Sequence, residues 1–285
     1  MILPINQLVD SRYIPTRYIG EGGMAEIYEA NDIYGHKNVA IKVIKSELKD
    51  DYLELERFKN EARFASMFTN EHIIKIFNIG SYQGHFFISY ELMKGSTLKE
   101  VLDKRGYLTK SEAIKVILQV LEATSYIHQR KVLHNDIKPE NLFMLYDGNI
   151  KLLDFGIATH FGEKASKTNA SISYAAPEVL RNGFYSVQSD IYSIGVVLFE
   201  LLTGRVPFIG NTTAVIESHV NEDIPSLNRY SNLTGHQELD KIIKKATNRI
   251  INQRYKSDEE MIEDLKQINL DEPEKKTLFQ RIFKK

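Results

Sequence analysis

The chain has 285 residues, 42% of them hydrophobic and 26% charged, with a formal net charge of −1 and no cysteine. That length buries a substantial core in one large domain or two lobes. The near-neutral balance gives no global basic field for nucleic acid, and the lack of thiols excludes disulfides, thiolate metal sites and cysteine nucleophiles.

In chain order, the first ninety residues read mainly as strands around one helix. Arg17 to Gly22, Ala25 to Ala30, Asn38 to Lys45, Ile73 to Gly80 and Phe86 to Glu91 are short, rich in Ile, Val, Tyr and Phe, and bounded by Gly, Asn or Asp. Between the third and fourth, Asp51 to Phe68 carries Leu55, Phe58, Ala62 and Ala65 at helical spacing. From Thr97 onward helices are expected. Thr109-Lys110-Ser111-Glu112 is a capping box that opens a helix running to His128. Leu142 to Leu145 and Ile150 to Leu153 flank Asp147-Gly148, a hairpin signal. Ser186 to Leu202 is apolar on nearly all sides and is expected at the centre of a helical lobe, ending at Gly204. Leu239 to Ile251 and Asp258 to Ile268 supply further amphipathic helices. The natural boundary falls near Glu91 to Gly95, and no internal repeat is present. Met1 to Gln7 lacks the basic start and long apolar run of a signal peptide. The longest apolar run, Ile194 to Leu202, is about half of the roughly 20 residues a membrane span needs. A soluble, cytoplasmic chain is expected.

Three local patterns carry chemistry. Gly20-Glu21-Gly22-Gly23-Met24-Ala25 lies between two strand segments, where glycines let backbone N–H groups approach a phosphate. By itself it reads first as an ordinary hairpin turn, and it is neither a Rossmann nor a Walker A loop. Ala40-Ile41-Lys42 sets a lysine inside an apolar strand, a placement that a snorkelling edge residue also satisfies. Finally, His134-Asn135-Asp136-Ile137-Lys138-Pro139-Glu140-Asn141 is followed past the hairpin by Asp154-Phe155-Gly156. Asp136 and Asn141 could hold a hydroxyl and a metal in one small site, and Asp154 could bring the same metal to a phosphate. Phosphoryl transfer needs that kit.

The order of these patterns, closed by Ala176-Pro177-Glu178, resembles the bacterial eukaryotic-like (Hanks-type, PknB-like) Ser/Thr protein kinases over roughly residues 12 to 268. The resemblance implies an α+β bilobal fold: a kinase domain at 12–270 with a small β-rich N-lobe (12–90), a hinge (91–95) and a larger, mainly helical C-lobe (96–270), then a basic tail (271–285). It implies ATP-dependent transfer of the γ-phosphate to Ser or Thr of proteins, with autophosphorylation, and Mg²⁺ as metal, for which Mn²⁺ could substitute. Asp136 would be the catalytic base, Lys138 would neutralise charge on the phosphate in flight, and Asn141 and Asp154 would hold the metal. Lys42 would meet the α and β phosphates and pair with Glu61. ATP would further contact Gly20, Glu21, Gly22, Gly23, Met24, Ile27, Ala40, Phe143 and the backbone of Glu91 and Met93, with Tyr90 a bulky gatekeeper. His134 and Phe155 would pack rather than react. Asp190 would hold the catalytic-loop backbone, Glu178 would pair with Arg254, and the Ser171 hydroxyl would bridge Asp136 and Lys138.

Two positions depart from the pattern. Ala25 stands where the loop's third glycine is usual, and Asn135 where an Arg normally receives an activation-loop phosphate, so dependence on that phosphate is expected to be weak. Ser166, Thr168, Ser171 and Ser173 are candidate phosphorylation sites. Protein substrates with Ser or Thr are implied as partners and a homodimer stays open; the basic tail at 275–285 reads first as a solvated C-terminal helix and alternatively as a membrane-surface segment, as in the cytoplasmic part of an anchored kinase; nucleic acid is not expected. A pseudokinase and a small-molecule kinase of the same superfamily are the competing readings.

Overall fold

A computed structural model describes residues 1–163, 171–230 and 236–269. Ser166, Thr168 and the basic tail therefore lie outside the described residues. The chain divides into two compact units, one of Met1–Lys94 with Asp154–Ile157, the other of Gly95–Leu153 with Ala158 onward.

The first unit is an antiparallel five-stranded sheet with one helix. Its strands are β1 (Tyr13–Glu21), β2 (Ala25–Asp32), β3 (Lys37–Ile44), β4 (Ile76–Tyr82) and β5 (His85–Glu91), in the order β1-β2-β3-β5-β4. Helix α1 (Tyr52–Ser66) enters between β3 and β4; Asp51 caps it by accepting from the Leu53 and Glu54 N–H groups. Side-chain alternation gives the sheet two distinct faces. Val39, Ile41 and Val43 of β3 join Tyr13, Tyr28, Ala30 and Phe87 in one core cluster. Leu3 and Val9 belong to the same cluster, although nothing in their short segment has strand or helix periodicity. The intervening Ala40 and Lys42 point to the opposite face. Pairing of Ile27 with Lys42, and of Ala40 with Tyr90, sets Ile27 and Tyr90 on that face too.

The second unit is mainly helical. It contains β6 (Gly95–Thr97), α2 (Leu98–Arg105), α3 (Lys110–His128), β7 (Val132–Leu133), β8 (Leu142–Leu145), β9 (Ile150–Leu152), β10 (Thr159–His160), α4 (Pro177–Asn182), α5 (Val187–Thr203), α6 (Thr212–Asn221), α7 (Gln237–Ala246) and α8 (Asp258–Lys266). The Thr109/Glu112 capping box of α3 forms as its sequence requires, and α2 and α5 each open with one of their own. The β8–β9 hairpin turns at Asp147-Gly148, with Gly148 at φ 88°. Helix α5 is buried along almost its whole length and ends at Gly204, φ 76°. A Cβ on Gly195 of α5 would fall 2.8 Å from the Ala246 side chain, so α7 packs directly on the α5 backbone. No helix among the described residues is long and apolar enough to cross a membrane.

Candidate active site

In the first unit Lys42 stands on the sheet face turned away from the Val39–Ile41–Val43 core and meets Glu61 of α1. Lys42 Nζ lies 2.5 Å from Glu61 Oε2, and both side chains are largely buried. Burial works against the Lys42 cation, but the charges of Glu61 and Asp154 outweigh it and hold its pKa above the ordinary value. Burial pushes Glu61 up, with the Lys42 cation opposing. Breaking such a pair leaves an uncompensated buried charge, which fixes α1 to β3. Helix α1 also holds the Asp154-Phe155-Gly156 segment: Asn60 Nδ2 donates to the carbonyls of Phe155 (3.2 Å) and Gly156 (3.0 Å). Phe155 is fully buried and packs its ring 5.4 Å from that of Phe68. Asp154 takes φ 57°, a left-handed backbone that non-glycine residues seldom adopt, and its Oδ1 accepts the Gly156 N–H at 3.0 Å.

The glycine loop is the turn between β1 and β2, closed by Gly22 N–H to the Ala25 carbonyl at 2.9 Å. A Cβ on Gly20, Gly22 or Gly23 would meet nothing within 4 Å, and none of the three has positive φ. Nothing among the described residues demands glycine at these three positions. Ile27 and Ala40 are half-buried on the Lys42 face; Glu91 and Met93 follow at the end of this unit, where the Glu91 N–H donates to the Lys75 carbonyl at 3.0 Å.

In the second unit the Asp136 carboxylate is the hub. Lys138 Nζ lies 2.7 Å from its Oδ2. The Ser171 hydroxyl donates to Oδ1 at 2.7 Å and accepts from Lys138 Nζ at 2.8 Å. Asn141 donates through Nδ2 to the Asp136 carbonyl (2.8 Å) and to Oδ2 (2.9 Å). Its remaining side-chain atom, Oδ1, is a hard oxygen donor of the kind Mg²⁺ takes. Among the described residues no group of three or more His, Asp or Glu is arranged to hold a metal. Phe143 is half-buried on β8.

The loop that carries these groups is held from behind. Asp190, at the start of α5, accepts the His134 and Asn135 N–H groups, each at 2.9 Å. His134 is buried and bonds the Leu153 carbonyl through Nε2 at 2.9 Å. Asn135 adopts φ 68° and donates through Nδ2 to Thr159 Oγ1 at 3.0 Å. Glu178 receives both Arg254 terminal nitrogens at 2.7 Å, the pairing expected from sequence.

One participant had no sequence signal. His128, at the last position of α3, lies between two buried carboxylates, with Nε2 3.0 Å from Asp190 and Nδ1 2.6 Å from Asp258 of α8. Burial alone would lower its pKa, but the two carboxylates raise it to about 10. Asp190 is pushed up by burial and down, by a larger margin, by His128 and the loop N–H groups.

A protein kinase domain family matches residues 13–277. Among curated proteins, the chain is 38% identical over 92% of its length to the serine/threonine-protein kinase PrkC of Bacillus subtilis, covering 41% of that protein. It is 36% identical to a probable serine/threonine-protein kinase PknB of Lactococcus lactis over 93% of the chain and 43% of the relative. For PknB of Mycobacterium tuberculosis the figures are 33%, 93% and 44%. The chain thus spans roughly two fifths of the length of these relatives.

Proposed function

Because the chain belongs to the protein kinase family, in the bacterial group that includes PrkC and PknB, we propose that it transfers the γ-phosphate of ATP to Ser and Thr hydroxyls of proteins. The observation that carries this is the closed set of contacts among Asp136, Lys138, Ser171 and Asn141. A carboxylate so oriented accepts the proton of an incoming hydroxyl, and a positioned base is worth roughly 10²–10⁴-fold. Lys138 supplies positive charge beside it, where the transferring phosphoryl group becomes crowded with negative charge. The Ser171 contact, on which a serine/threonine rather than tyrosine acceptor is inferred, keeps Lys138 and Asp136 in register.

The family uses ATP and a divalent metal; Mg²⁺ is the metal proposed here, with Mn²⁺ able to substitute. A divalent metal held at this site would neutralise negative charge on the phosphates. Asn141 and Asp154 are assigned to hold it. Lys42, kept cationic by Glu61, is assigned to the α and β phosphates. The backbone of residues 20–24 is assigned to the phosphate chain, and Ile27, Ala40, Phe143 and the Glu91 and Met93 backbone to the adenine. The catalytic domain is taken as 12–270 with 91–95 as hinge. Self-association and a membrane-surface contact by 275–285 rest on the resemblance and on the basic and apolar residues of that tail.

Phosphoamino-acid analysis after incubation with γ-labelled ATP and a generic basic protein tests the reading. Label on phosphoserine or phosphothreonine is expected. Label only on a small alcohol would return the small-molecule kinase; nucleotide binding without any transfer would return the pseudokinase.

A further inference from the structure

The Glu61 carboxylate has a second strong partner besides Lys42. The Tyr90 hydroxyl donates to Glu61 Oε1 at 2.5 Å, while Lys42 holds Oε2. Sheet register explains the meeting. Tyr90 on β5 sits directly opposite Ala40 on β3, and Lys42 lies two residues further along on the same face. Tyr90 and Lys42 are therefore diagonal cross-strand neighbours, close enough for two long side chains to share a target. Glu61 reaches down from the buried stripe of α1 and completes the triangle.

We infer that Tyr90 is a positioning residue for phosphoryl transfer, holding Glu61, and through it Lys42, in the geometry that grips the nucleotide phosphates. The inference rests on the kinase reading above. Both Tyr90 and Glu61 are buried, at 4% and 5% exposure. Neither oxygen has water to fall back on, so losing the bond costs more than a surface contact would. Burial and the Glu61 charge hold the phenol well above its ordinary pKa. The hydroxyl stays a donor throughout the working range and favours the ionised carboxylate. Tyr90 thus does more than fill space behind the adenine. A methionine or phenylalanine there would fill the space and leave Glu61 gripped on one oxygen only.

Tyr90→Phe, which keeps the ring, tests this. The expected result is a fall in kcat of about ten-fold, the scale of a hydrogen bond to a charged group, with the KM for ATP changed by less than about two-fold. In a Glu61→Gln background the same change should add almost nothing, since its route of action is already gone. Tyr90→Met should reproduce the kcat loss. Wild-type kcat in Tyr90→Phe overturns the inference. So does a change in KM alone, or a full second loss in the Glu61→Gln background. Hydrogen exchange across α1 gives a readout independent of turnover: Tyr90→Phe should loosen residues 58–65, and unchanged protection overturns the positioning role. An inactive wild type would count against the kinase reading, while the exchange result would still decide the Tyr90–Glu61 tie.

Discussion

Replacing Asp258 by Asn tests the support beneath the catalytic loop. Asp258 shares His128 with Asp190, and Asp190 in turn accepts the two loop N–H groups. The His128 pKa rises from 6.5 to about 10 on folding. A raised pKa means the folded state binds this proton more tightly than the unfolded state. The resulting stabilisation is complete below pH 6.5 and drains away as pH climbs to about 10. Each pH unit in that window is worth about 1.4 kcal/mol, so this group alone removes on the order of 4 to 5 kcal/mol across it. At pH 7.5 about 3 kcal/mol remains. Asp258→Asn takes away one of the two carboxylates beside His128, while its amide oxygen still accepts from the Thr124 hydroxyl, which donates to Asp258 Oδ1 at 2.6 Å. We expect a loss of about 2–3 kcal/mol at pH 7 and a visibly flatter decline between pH 7 and 9.5 than in wild type. Urea denaturation at half-unit pH steps measures both. Superimposable stability-versus-pH curves for the two proteins would show that Asp258 does not hold the charge on His128.

Arg254→Ala strands Glu178 without its bidentate partner and should cost about 3–5 kcal/mol in urea denaturation, while the Glu178→Ala/Arg254→Ala double variant should cost less than the sum of the single changes. Ser171→Ala removes the hydroxyl between Lys138 and Asp136 and should lower kcat about ten-fold with little change in the KM for ATP, in steady-state kinetics. Phosphatase-treated enzyme should keep most of its activity, because Asn135 carries no charge to receive a phosphate and its amide is committed to Thr159; loss of activity on dephosphorylation would show that the loop is ordered by phosphate through another cation.

What the sequence made legible was local. The Asp136 to Asn141 loop, the β8–β9 hairpin and the Thr109 capping box are each specified within a few neighbouring residues, so their chemistry can be read from spacing. Lys42, Glu61 and Asp154 follow from family order rather than from any pattern of their own. The Tyr90–Glu61 bond escapes such reading because it joins residues 29 apart through sheet register. The His128–Asp258 pair, 130 residues apart, depends on α8 docking on the end of α3. An acid at the first turn of α8 reads locally as a helix-start charge, and nothing nearby reveals the histidine it meets. Helices α2 and α6 bury only two residues each, Leu98 and Leu102, and Val215 and His219, so their periodicity does not stand out. Leu3 and Val9 enter the core from a segment without regular structure, where only tertiary packing reveals their burial.

In the proposed reaction Asp136 acts on the hydroxyl while other groups hold the nucleotide. The most direct test of this assignment measures Mg²⁺–ATP affinity and label transfer side by side for wild type and Asp136→Asn. Similar affinities are expected, with transfer by the wild type and transfer by the variant reduced by about 10² or more. Equal transfer by the two proteins, or a wild type that binds Mg²⁺–ATP and transfers nothing, would contradict it.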